Sequence, residues 1–175
     1  MVRRSYAKTC VLVGIMAATL ECGKLALAAL PNIEVVTLLV ALYSYVFGLP
    51  GVAASVVFVC IEPLIYGFGS WVISYFLYWP ALGVLFFFFG RLRIKNRFIL
   101  CGAALVMTVF FGVITSLVEV GLFSGSFENF WYRFGIYYLR GIPFYLLQLS
   151  CNLVLFISLF PFLSKKLLQF KNRMI

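Results

Sequence analysis

The sequence predicts an all-α integral membrane protein, a compact bundle of six transmembrane helices with both termini on the cytoplasmic side. Three observations predict it. The 175 residues are 65% hydrophobic and 11% charged, with a mean hydropathy of +1.10, whereas a soluble domain carries about 25% charged residues. Two long apolar blocks, 9–90 and 98–164, have room for four spans and for two or three, at about 20 residues per span. Three basic clusters (Arg3, Arg4 and Lys8; Arg91, Arg93, Lys95 and Arg97; Lys165, Lys166, Lys171 and Arg173) hold 11 of the 14 Lys and Arg, and basic loops stay in the cytoplasm. Placing all three on one side requires an even number of spans between each pair. Four spans followed by two satisfy it.

Each span follows from its neighbours. The basic start MVRR runs into the first span, 8–30, with no small-residue cleavage pattern, so this segment is expected to stay in place. Pro31-Asn32 interrupts the apolar pattern ahead of the second span, 33–48. Gly48-Leu49-Pro50-Gly51 separates it from the third, 51–66, and Gly67 to Ser70 lead into the fourth, 70–90. The second and third are short enough for one to be broken or re-entrant. In the second block Gly125 to Asn129 divide spans 98–123 and 134–163, and the whole is read as one domain, 1–175. The outer loops by parity are Pro31-Asn32, 67–70 and 123–133. Tyr66, Phe68, Trp71, Phe127, Phe130, Trp131 and Tyr132 crowd their ends, as aromatic rings do at a membrane interface.

The net charge of +9 is accounted for by the orienting clusters, so no nucleic-acid partner is inferred. Cys10, Cys22, Cys60, Cys101 and Cys151 are scattered singly, without metal-type pairing, and no disulfide, metal or cofactor is expected. The chain contains no histidine and no aspartate, which removes the usual intramembrane metal sites and aspartyl dyads. It has no GxSxG nucleophile motif and no GxxxxGK[ST] phosphate loop, so neither catalysis nor nucleotide-driven work by this chain alone is expected.

Buried charge is what needs a reason. Glu21, Glu34, Glu62, Glu119 and Glu128, with Lys24, Arg133 and Arg140, all fall in the outer half of the predicted topology or inside spans. Ionisable groups at membrane depth are costly and normally face a cavity or a partner. Glu21 and Lys24 stand three apart on one helix, a spacing that permits a self-pair. Glu62 and Tyr66, four apart, share a face. Trp71, Tyr75, Tyr78 and Trp79 form a stripe of polar-tipped rings, and Tyr145, Gln148 and Asn152 repeat at three and four below a break at Gly141-Ile142-Pro143. Rings that stack and sparse polar groups that orient are how a small polar heterocycle is held. The alternative reading is that the rings are packing or interface anchors and the acids pair with cations as glue between helices.

These features resemble the membrane-embedded substrate-binding (S) components of energy-coupling factor (ECF) transporters, the bacterial vitamin importers. The last span, GIPFYLLQLSCNLVL, is similar to that family's Gly-x-Pro-Phe…Asn pattern in Gly141, Pro143, Phe144 and Asn152, with Gln148 where many relatives carry histidine. The stretches LPNIEVVTLLVALYSYVFG and IEPLIYGFGSWVISYFLYWPALGVL resemble a branch with a Pro-Asn-Ile-Glu signature. The resemblance implies a multi-pass protein of a bacterial plasma membrane that captures a vitamin or vitamin-like heterocycle from outside. It implies docking on a transmembrane coupling subunit with two ATPases, and release inward by toppling. A Pro-Asn-Ile opening leans toward cobalamin; pyridoxine-, queuosine- and pterin-like ligands suit the same residues. Asn32 would cap the site in the outer loop, Glu34 would close it or bond the ligand, and Glu62, Tyr66, Trp71, Tyr75, Trp79, Glu119, Arg140, Gln148 and Asn152 complete the ligand-binding set. The coupling subunit would meet a small-residue stripe on the first span, Cys10, Gly14 and Ala18, where relatives often show Ala-xxx-Ala. The rival from another class is a non-transporting membrane interaction or assembly protein.

Overall fold

A computed structural model describes residues 2–30, 33–125 and 127–174. Among them the chain forms six α-helices and no strand: α1 Val2–Ala26, α2 Val36–Phe47, α3 Leu49–Tyr66, α4 Trp71–Arg91, α5 Arg97–Val118 and α6 Phe130–Met174, with a π-helical turn, Glu119–Phe123, closing α5. Stretches within five of them, all but α2, are long and apolar enough to cross a membrane. These are the helices of a membrane-embedded, multi-pass protein.

Helix α2 departs from the predicted 33–48. Its 12 residues rise only about 18 Å, short of the ~30 Å hydrocarbon core. It is hydrophobic all round because it is the centre of the bundle: nine of its residues, from Val36 to Val46, are buried. Around it pack Leu20, Phe58, Tyr78, Leu82, Phe86, Phe156 and Phe160, each fully buried or nearly so. A single residue, Gly48, joins α2 to α3 at φ +77°, a left-handed backbone that glycine adopts without strain. Pro50 then sits in the first turn of α3, where its missing N–H costs nothing. At Gly51 a Cβ would collide with the Tyr43–Ser44 backbone, so glycine is what lets α2 and α3 touch.

Two other helices differ in extent from the prediction. Helix α1 begins earlier than predicted and stops at Ala26, not at 30; three-residue turns follow (Leu27 N–H to Lys24 O, 3.2 Å; Leu30 N–H to Leu27 O, 2.9 Å). Helix α6 runs unbroken through Gly141-Ile142-Pro143 and past Pro161 to Met174, 45 residues or about 67 Å. The predicted break is therefore absent. A proline removes one backbone donor, and packed neighbours tolerate that in a membrane helix; here the Tyr145 ring folds over Gly141 and against Gly112 of α5. No helix stop follows Pro161, so the last basic cluster extends the helix instead of forming a loop.

One end of the bundle is basic. The Tyr45 hydroxyl donates to Ile94 O (3.0 Å) and Lys171 Nζ to Val46 O (2.7 Å), tying the α2 end, the α4–α5 loop and the α6 tail together. Asn96 caps α5 by accepting from Phe98 N–H (2.9 Å).

Candidate ligand-binding site

A cavity of about 230 Å³ lies toward the opposite end, between the α1–α2 connection and helices α3 to α6. Glu34, Tyr75, Trp79 and Gln148, all expected from the sequence, line it. Glu34 stands just before α2 and is fixed from four directions. Its Oε2 accepts from Thr37 N–H (2.8 Å), a helix-capping bond, and its Oε1 accepts from the Thr37 hydroxyl. Oε1 also meets Gln148 Nε2 (3.3 Å) and Asn152 Nδ2 (3.5 Å) from α6. Asn152, fully buried, donates in addition to Thr108 Oγ1 of α5 (3.0 Å). One carboxylate thus joins three segments of the chain.

The second polar centre is Lys24. It pairs with Glu62 of α3 rather than with Glu21 on its own helix. Its ammonium lies 4.2 Å from the centroid of the Tyr66 ring and 5.3 Å from that of Tyr75, the geometry of a cation over aromatic faces. Glu62 is fully buried, and the largely buried Glu21 carboxylate lies against it. Among the described residues neither Glu21 oxygen has a hydrogen-bond donor, nor does Glu62 Oε1.

The rings of α4 follow the predicted stripe in part. Trp71 meets Tyr75 edge-on at 5.0 Å and Tyr75 meets Trp79 at 5.8 Å. Tyr75 and Trp79 wall the cavity, whereas Tyr78 turns into the core against Phe111 at 4.8 Å. The Trp79 indole N–H is buried without an acceptor among the described residues. Aromatic faces, an amide, a carboxylate and an ammonium therefore border the cavity. That set can hold a planar heterocycle and fix its orientation.

Glu119 and Arg140 are not part of this cavity. They line a second one of about 300 Å³, between the π-helical turn and the first turns of α6, with Ser124, Arg133 and Tyr137. Asn32 lies outside the described residues. Cys10, Gly14 and Ala18 face outward on α1, and nothing stands within 4 Å of where a Gly14 Cβ would be. Lys24, Phe58, Phe111 and, in the α1–α2 connection, Leu27, Ala28, Leu30 and Ile33 line the cavity without having been singled out as site residues. Lys24 had a signal, being the one Lys or Arg between positions 8 and 91; the two phenylalanines, among 20, had none. Comparison of the chain with protein-family models, curated proteins and solved structures found no match.

Proposed function

We propose that the chain is the substrate-binding S component of an ECF-type importer in a bacterial plasma membrane, binding a vitamin-like heterocycle without catalysis and docking on a coupling subunit with two ATPases. The observation that carries this reading is the cavity at the end remote from the basic clusters. There Leu27, Ala28, Leu30 and Ile33 line the cavity beside Glu34, and Gln148 and Asn152 of the family-like last span meet Glu34. With the basic clusters cytoplasmic, six crossings put both termini inside and the cavity toward the exterior, α2 being the short member. The volume, about 230 Å³, lies below the 300–1,000 Å³ of pockets for drug-sized ligands. It favours a one- or two-ring heterocycle, pyridoxine- or pterin-like, over the larger queuosine and over a corrin. The exposed Cys10, Gly14 and Ala18 stripe supplies a face on which a coupling helix can approach closely.

Native mass spectrometry of the purified chain tests the reading: a co-purified small heterocycle is expected, and Trp79→Leu should weaken its binding about ten- to a hundred-fold with the fold intact. Unchanged affinity would remove Trp79 from the site. One observation favours a second reading, a non-transporting assembly or interaction protein: Lys24 with Glu62, and Glu34 with Gln148 and Asn152, already pair across helices as glue. Absence of any ligand-induced thermal shift across vitamin-like heterocycles would favour that reading.

A further inference from the structure

The basic end carries two adjoining clefts, and we propose that they bind an anionic phospholipid. The first, about 410 Å³, lies between the start of α5 and the tail of α6; Lys95, Arg97 and Lys165 rim it, over a floor that includes Leu100 and Phe160. The second, about 520 Å³, lies on the other side of Lys95 and is bordered by Arg91, Arg93 and Lys171, with Phe87 as an apolar wall. Both clefts contain Tyr45, Lys95 and Leu168. Six cations therefore border the two clefts, and among the described residues no acid lines either.

The surroundings indicate a lipid and not a free anion. Phe98, Ile99, Phe162 and Phe170 stand exposed near the cations, an arrangement suited to the headgroup boundary, where phosphates meet lysine and arginine while acyl chains cover the apolar side chains. The site is also built rather than a loose charged loop. Tyr45 holds Ile94 O, Lys171 holds Val46 O, Arg93 takes a left-handed φ of 55°, and a Cβ at Gly90 would strike Tyr45 O. Two clefts sharing one lysine suit a lipid with two phosphates, and diphosphatidylglycerol meets that description.

The test uses the full chain in detergent, titrated in native mass spectrometry with tetraoleoyl cardiolipin, with dioleoylphosphatidylcholine and with inorganic phosphate. Cardiolipin is expected to be retained and the other two lost. The double variant Lys95→Gln/Lys165→Gln should weaken cardiolipin binding roughly thirty-fold, as two cations at an anionic lipid surface imply. Lys166→Gln serves as the control, because Lys166 lies outside both clefts and sits over the Phe162 ring at 5.8 Å; it should leave binding within about twofold. Four results would overturn the proposal: equal retention of phosphatidylcholine, phosphate binding as tight as cardiolipin's, an equal loss in Lys166→Gln, or a double variant that binds cardiolipin normally.

Discussion

Glu34 concentrates several functions in one side chain. It caps α2, accepts from Gln148 and Asn152, and borders the cavity. Glu34→Ala removes the cap and the acceptor of Gln148, while Asn152 keeps its bond to Thr108; the loss should destabilise the bundle by roughly 1–3 kcal/mol in detergent unfolding. A loss under about 0.5 kcal/mol would show that other contacts hold α2 in place. Lys24 and Glu62 make a sharper case, because Glu62 is fully buried. Lys24→Met alone leaves that carboxylate uncompensated, at roughly 3–5 kcal/mol, whereas Lys24→Met with Glu62→Leu removes both charges and should recover most of it. A double-mutant cycle measures the difference, and additive losses would mean that the pair is not coupled.

At the scale of elements, glycine separates packed faces from free ones. A methyl group at Gly51 has no space against the α2 backbone, while Gly14 has nothing within 4 Å. Gly51→Ala should therefore cost about 1–3 kcal/mol, and Gly14→Leu should stay within about 0.5 kcal/mol while abolishing association with a coupling subunit. Thermal unfolding and co-purification read the two effects separately. If Gly14→Leu instead unfolds the chain, the outward face of α1 has an internal role. Helix α6 serves several purposes along its length: Tyr145 packs on Gly112, Gln148 and Asn152 hold Glu34, Phe160 packs on Tyr45 at 5.5 Å, and Lys171 ties down the α2 end. Continuity past Pro161 keeps these contacts in fixed register, which a helix broken there would not.

For the whole molecule, the two ends differ in chemistry. One carries the basic clefts; the acids Glu21, Glu34 and Glu62 gather toward the other, around or behind the cavity that Glu34 lines. In a variant with its native cysteines replaced, Leu92→Cys and Phe127→Cys, both at exposed positions, should be labelled from opposite sides of the membrane, with position 92 cytoplasmic. Labelling of both from one side would overturn the six-crossing arrangement.

The helical class, the places where most helices end and the stripe from Gln148 to Asn152 could be read in the sequence. Hydropathy, glycine and proline punctuation and the 3.6-residue period are local properties, and they fix which side chains share a face. They do not fix which face meets which helix. Packing decided that: α2 became the short, largely buried centre because Gly48 and Gly51 bring α3 against it. Packing likewise gave Lys24 a partner on α3, turned Tyr78 into the core and Trp79 into the cavity, and placed Glu119 and Arg140 in a separate cleft. A charge buried among helices is stabilised by whatever partner the fold brings within reach, and that partner can be many residues away in the chain.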